Sequence, residues 1–119
     1  MDFTVTLSGP QNQLKYGFNG DNWKILVDSV DVGVIGIFWK DDKPFSDIFI
    51  KPEYRRMGYA LEAKRLLYSR LQLKEIYAYV NKDNIASIKL QEKSGFRLIG
   101  EEDDKFLFIL DITSYQNII

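Results

Sequence analysis

Six consecutive residues, Arg55-Arg56-Met57-Gly58-Tyr59-Ala60, put two cations, a glycine and the start of a helical pattern in one place. The pattern continues through Ala60, Ala63, Leu67 and Leu71, spaced three or four apart, as one face of a helix requires. An apolar run from Phe45 to Ile50 comes before it, joined by Lys51-Pro52-Glu53-Tyr54. A strand, a short loop and a helix in this order leave free backbone N–H groups at the helix start, where the helix dipole is positive. Both features attract anions. Glycine at position 58 removes the side chain where a phosphate would have to approach the backbone. The stretch predicts a pyrophosphate cradle; the plainer alternative is a β–α turn with surface arginines.

A second segment adds weight to the cradle. Ile76 to Val80 reads as a strand, and the helix after it is capped by Asp83 or Asn84 and closed by Gly95 with Phe96 as its hydrophobic partner. The stretch Ile50 to Ala60 resembles motif A of the GNAT superfamily of N-acetyltransferases: an apolar residue, a proline, an aromatic, then Gln/Arg-x-x-Gly-x-Gly/Ala. Val80 followed by Asn84-Ile85-Ala86-Ser87-Ile88-Lys89-Leu90-Gln91-Glu92-Lys93-Ser94-Gly95-Phe96 is similar to motif B, a strand, an asparagine, a helix and a closing Gly-Phe. The chain thus resembles a short member of the superfamily, over roughly its central half.

The resemblance implies one α/β domain over residues 1–119. Its sheet would be mixed and mostly antiparallel, with splayed central strands, two main flanking helices and a reduced N-terminal helical region. Acetyl-CoA is the implied co-substrate. Backbone N–H groups of Arg55, Arg56, Met57, Gly58, Tyr59 and Ala60 would hold its pyrophosphate. Arg55 takes the Gln/Arg position, Arg56 contacts a phosphate or solvent, and Tyr59 lines the cradle or packs on the sheet. The pantetheine arm would pair, strand-like, with backbone near Phe49 and Ile50. Asn84 touches the pantetheine, caps its helix, or does both.

Attack of a neutral amine on a thioester needs a route for the ammonium proton, donors for the oxyanion and a proton for the leaving thiolate. Backbone N–H near Ile50 is the implied oxyanion donor. Many family members protonate the thiolate from a tyrosine in the motif B helix; counted from Asn84, that position here is Gln91, which can hydrogen-bond sulfur but cannot act as an acid. Ser87, one turn earlier, resembles the serine of the branch that acetylates ribosomal-protein N-termini; it takes the acid's role or bonds backbone in the first turn. Tyr77 and Tyr79 are further candidates for that proton. Asp47, the only acidic residue in the strand entering motif A, is a candidate base or a solvent-facing residue, and a water chain without a single base is the alternative. The candidate catalytic set is Asp47, Ser87 and Gln91.

Composition narrows the chemistry. The 119 residues allow one small core, and 45% hydrophobic with 28% charged residues is ordinary for a soluble globular protein. A formal net charge of −1 argues against a general nucleic-acid binder. No apolar run approaches membrane-spanning length, and Met1-Asp2-Phe3-Thr4 lacks the basic start of a secretion signal, so a cytoplasmic location is expected. With no cysteine and no histidine, a thiol nucleophile, a histidine base and nearly every zinc site are excluded, and no metal is expected. Transfer would go directly from donor to acceptor or through a less usual nucleophile, and the direct route is the one the resemblance implies.

Along the chain, Trp23 to Val30 and Val32 to Trp39 form a hairpin about Asp31, Asp41-Asp42-Lys43-Pro44 is a turn, and a helix runs from about Gly58 to Leu71. Phe96 to Gly100 and Lys105 to Ile112 form a last hairpin around Glu101-Glu102-Asp103-Asp104, an acidic run that either attracts a cationic acceptor or is a solvated turn. The stretch from Ser8 to Asn22, with Gly9-Pro10, Gly17 and Gly20, is poor for a long helix, so one short helix or an open loop and a shallow acceptor site are expected. The final strand is expected to be exposed and able to pair in a homodimer. Two functions follow: an acetyl-CoA-dependent N-acetyltransferase acting on a primary amine (a small molecule, a protein N-terminus or a lysine), or an acyl-CoA-binding sensor or interaction module without turnover.

Overall fold

Two pairs of residues in the left-handed conformation set two successive strand pairings. Asp28 and Ser29 have φ of 49° and 72°, Asp41 and Asp42 have 52° and 62°, the backbone that two-residue hairpin turns require. The computed structural model describes residues 3–12, 14 and 17–116. It contains β1 (Val5–Gln11), β2 (Asp21–Val27), β3 (Val30–Lys40), β4 (Lys43–Ile50), α1 (Tyr59–Tyr68), β5 (Glu75–Asn81), α2 (Ile85–Lys93), β6 (Arg97–Glu102), β7 (Lys105–Asp111) and a short α3 (Thr113–Gln116).

The first hairpin turns at Asp28-Ser29 and not at the expected Asp31. Asp31 stands inside β3 at a bulge, where Ile25 pairs with Gly33 and Leu26 with Asp31, and its carboxylate accepts the Gly33 N–H at 3.2 Å. The next turn occupies Asp41-Asp42, so β4 starts earlier than expected and takes in Pro44 opposite Trp39.

All seven strands join one sheet in the order β1-β2-β3-β4-β5-β7-β6, and only the β4–β5 contact is parallel. That contact holds a single pair, Phe45 with Tyr77. Beyond it β4 stays laddered to β3 as far as Ile50, and β5 to β7 as far as Asn81. The two central strands are thus splayed, each held from its outer side, as the resemblance implies. The expectation of an exposed final strand is corrected: β7 is enclosed between β5 and β6, and the edges are β1 and β6. A strand that closes a hairpin with β6 and also pairs with β5 has no free ladder to offer.

One core lies between the sheet and the helices. Ala63, Leu67 and Tyr68 of α1 meet Ile76, Ala78 and Val80 of β5, Phe96, and Phe108 and Leu110 of β7. Helix α1 ends at Tyr68, short of the expected Leu71, which packs half-buried from the following loop. In the stretch expected to hold one short helix or an open loop, strand β1 runs on to Gln11, and the described residues 17–20 form a loop pinned by one side chain. Asn22, fully buried, accepts the Phe18 N–H at 2.8 Å and donates to the carbonyls of Phe18 at 2.6 Å and Gly20 at 3.1 Å. Gly36 makes room for it, since a Cβ there would lie 2.8 Å from the Asn22 oxygen.

Candidate functional site

The segment after β4 is shaped by local hydrogen bonds. A 3-10 turn, Pro52–Tyr54, closes with Tyr54 N–H on the Lys51 carbonyl at 2.9 Å and Arg55 N–H on that of Pro52 at 3.3 Å. The Arg55 guanidinium folds back, its Nε donating to the Ile50 carbonyl at 2.7 Å and its carbon 5.5 Å from the Phe49 ring centre. Arg55 therefore departs from its expected place: its own N–H closes the turn, and its side chain ties the loop to the end of β4.

The open part of the cradle starts one residue later. Arg56 has φ of 65° and Gly58 of 83°, and both are exposed. Gly58 is the N-cap of α1, and a Cβ built on it meets no atom within 4 Å. The first turn of the helical ladder is the Glu62 N–H to the Gly58 carbonyl, 3.2 Å, so the N–H groups of Tyr59, Ala60 and Leu61 precede it and point out of the helix end. Met57 is exposed beside them. The Tyr59 ring packs edge-on against Phe3 at 4.8 Å, which makes it a packing residue. Bare backbone, a positive helix end and an exposed arginine suit a diphosphate.

Helix α2 follows β5, one of the two splayed strands. Its N-cap is Asn84, whose carboxamide oxygen accepts the Ser87 N–H at 3.2 Å, so the capping role is real. Ser87 is half-buried in that first turn. At its far end, Gly95 takes φ of 94° and the Phe96 N–H reaches the Gln91 carbonyl at 2.9 Å, the closing geometry expected of a Gly-Phe pair.

Gln91 is 5% exposed, and its Oε1 accepts from Lys64 Nζ at 2.5 Å. Lys64 is 1% exposed, also donates to Ser94 Oγ at 3.3 Å, and lies 4.5 Å from the Phe96 ring centre. Burial pushes this ammonium down to about 7, an effect that the carboxylate of Asp47 partly opposes. Asp47, on β4, is exposed as a residue, yet desolvation of its carboxyl raises its pKa against the pull of the Ile48 N–H, Lys64 and Lys105. The Ile48 N–H lies 3.1 Å from its Oδ1.

Lysine is ordinarily a surface residue, so the sequence gives Lys64 no mark of composition that sets it apart. Its spacing gave a signal: four residues after Ala60 and four before Tyr68, it belongs to the inward face of α1.

Tyr77 and Tyr79 face the opposite side of the sheet from the buried Ile76, Ala78 and Val80. Phe45 stacks on Tyr79 at 5.0 Å and on Phe38 at 5.4 Å. Both phenols are engaged, Tyr77 with Glu75 at 3.1 Å and Tyr79 with Glu102 at 3.0 Å. In the acidic run, Glu101 also pairs with Lys82 at 3.2 Å. A shallow concavity of about 130 Å³ lies among Lys40, Tyr79, Glu102, Asp103, Asp104 and Lys105. A larger one, about 420 Å³, is lined by Lys74, Glu75, Arg97, Ile109, Asp111 and Thr113. Neither includes a cradle residue; an anion held by a helix end needs no deep pocket. Among the described residues no cluster of three or more acidic side chains could hold a metal, and no helix is long and apolar enough to cross a membrane.

The acetyltransferase (GNAT) domain family model matches residues 9–97. No curated protein matches the sequence. Solved structures share the fold. A dodecameric spermidine N-acetyltransferase from Vibrio cholerae is 19% identical with a TM-score of 0.70, over 82% of this chain and 67% of that one. The N-acetyltransferase PseH of Campylobacter jejuni, in complex with acetyl coenzyme A, is 23% identical with a TM-score of 0.66, over 76% and 67%. An acetyltransferase of the same family from Bacillus anthracis is 21% identical with a TM-score of 0.66, over 77% and 66%. The chain thus spans only about two thirds of the length of these structures.

Proposed function

We propose that this chain, which belongs to the acetyltransferase (GNAT) domain family, binds acetyl-CoA and transfers its acetyl group directly to a primary amine. The observation that carries the reading is the cradle: Gly58 in a left-handed conformation with open space above it, at the start of α1. Backbone N–H groups from Arg56 to Ala60 hold the pyrophosphate, with Arg56 as the added cation and Arg55 holding the loop in shape. The pantetheine runs along β4 at Phe49 and Ile50, in the gap beside β5, and passes Asn84. Complexes of PseH with acetyl coenzyme A and of the Thermoplasma acidophilum paia N-acetyltransferase with coenzyme A support the choice of ligand.

In the transfer, the amine nitrogen bonds to the acetyl carbon and the carbon–sulfur bond breaks. Asp47, at the surface of the splay with a raised pKa, is the proposed acceptor for the ammonium proton. Ser87, in the first turn of α2, is the proposed source of the thiolate's proton, and Gln91, one turn further along the same helix, ties it to Lys64 of α1. The acceptor class is a primary amine, as for the spermidine enzyme among the similar structures. We place the activity in the cytoplasm, and in a homodimer that would use an edge strand, β1 or β6, since β7 is enclosed.

A second reading has its own observation. Gln91 stands where many family members carry an acidic tyrosine, and it is buried against Lys64. A domain that binds acyl-CoA without turning it over fits that arrangement. Titration calorimetry with acetyl-CoA, then thiol release across an amine panel, separates the readings: binding with turnover supports transfer, binding alone supports the sensor, and no binding at millimolar ligand sinks both.

A further inference from the structure

Lys64 is a basic side chain enclosed by neutral partners. From α2 come the Gln91 oxygen at 2.5 Å and the Ser94 hydroxyl at 3.3 Å; the Phe96 ring lies 4.5 Å away and the Tyr68 ring 5.9 Å. Ser94 passes the link on, its carbonyl accepting the Tyr115 hydroxyl of α3 at 2.5 Å. The phenols of Tyr68 and Tyr115 are neutral, burial raising both. The charged residues of α2, Lys89, Glu92 and Lys93, are exposed. On α1, Glu62 and Arg65 pair with each other. The acting anion is Asp47 of β4, itself drawn on by Lys105 of β7.

A buried ammonium so lightly compensated favours its neutral form, and a nearby anion reverses that preference. Gly58 precedes Lys64 by six residues on the same helix, about 9 Å of axial rise. A ligand bearing several phosphate charges at that helix end acts on Lys64 through the protein interior, where charges are weakly screened. An ammonium has only donors, so the carboxamide of Gln91 must turn its oxygen to it. The charged form also engages the Phe96 ring face. It therefore holds α1, which carries the cradle, more firmly against α2, which carries Asn84.

We propose that Lys64 is a positioning residue that couples the cradle to α2: an anionic ligand bound at the start of α1 draws a proton onto Lys64, and the charged side chain clamps the two helices. This rests on the cradle being the coenzyme site.

The test is calorimetric titration with coenzyme A at pH 8 in Tris and in a buffer of much smaller ionisation enthalpy, which counts the protons taken up on binding. With Lys64 starting at about 7 and moving toward its ordinary range, roughly half to one proton per ligand is expected. Lys64→Met should bring the count close to zero while binding persists, and Lys93→Met, at an exposed lysine of α2, should leave it in place. If Lys64→Met does not fold, Lys64→Met with Gln91→Leu removes the orphaned oxygen and gives the same reading. A purely structural lysine would alter affinity without moving the proton count. Intact binding with no uptake, or uptake that survives the loss of Lys64, overturns the proposal alone. No coenzyme A binding to the unaltered protein overturns the coenzyme reading and this inference with it.

Discussion

Lys64 Nζ and Gln91 Oε1 stand 2.5 Å apart in the protein interior, joining the middle of α1 to the last turn of α2. Each residue shields the other's polar end, and neither is tolerable alone: a lone buried amide oxygen or ammonium loses its water without replacement. The folded protein binds this proton less tightly than the unfolded chain does, since burial lowers the ammonium from 10.5 to about 7.

That difference fixes a pH dependence. Between pH 7 and the ordinary lysine range the unfolded state carries more protons, so stability rises with pH across that window. Below about 7 both states are protonated, and this group adds no further slope. Urea midpoints measured from pH 7 to 9.5 should climb in the unaltered protein and climb less in Lys64→Met. Parallel curves would show that Lys64 is not depressed.

Gly58 separates backbone strain from occupancy of the cradle. Its φ of 83° costs a residue with a side chain about 1–2 kcal/mol, while the space above it is open. Gly58→Ala and Gly58→Trp should therefore lose similar stability. Only the tryptophan reaches far enough to fill the place of a phosphate, so acetyl-CoA affinity should fall at least about tenfold further in Gly58→Trp than in Gly58→Ala, a difference of about 1.4 kcal/mol. Equal affinities in calorimetry would remove the pyrophosphate from this loop.

What could be read from the sequence follows from the range of the forces involved. The Asn84 cap, the Gly95-Phe96 closure and the aspartate-rich turns are decided within a few residues, and the chain states them locally. The hairpin turn moved from Asp31 to Asp28-Ser29 because two adjacent positive φ angles suit a tight turn, while the bulge that absorbs Asp31 depends on its partner strand. The enclosure of β7 is a matter of strand order, which periodicity does not encode. Lys64 and Asn22 carry ordinary polar side chains whose burial depends on elements distant in sequence. The cradle was legible because glycine, arginines and helix start are contiguous; the turn of the Arg55 side chain toward Ile50 was not.

Asn22 holds the 17–20 loop with three hydrogen bonds. Asn22→Ala would leave the Phe18 N–H and two carbonyls without their partner, and a loss of about 1–3 kcal/mol is expected. Asn22→Asp keeps the acceptor for Phe18 N–H but loses both donors and buries a carboxyl, so it should be no better than alanine. Chemical denaturation of the two variants checks this. A stability change below about 0.5 kcal/mol for Asn22→Ala would show the 17–20 loop to be independent of Asn22.

Asn84 has one demonstrated role and one proposed, and two substitutions tell them apart. As a cap, its oxygen holds the Ser87 N–H, so Asn84→Ala should cost about 1 kcal/mol, whereas Asn84→Asp keeps a capping oxygen at a positive helix end and should retain the stability. As a pantetheine contact, the asparagine offers amide hydrogens that aspartate lacks. Asn84→Asp should then fold normally and bind acetyl-CoA several-fold more weakly. Thermal melts give the first quantity and calorimetry the second. If Asn84→Asp matches the unaltered protein in both, Asn84 is a helix cap and nothing more, and the pantetheine must be held by β4 alone.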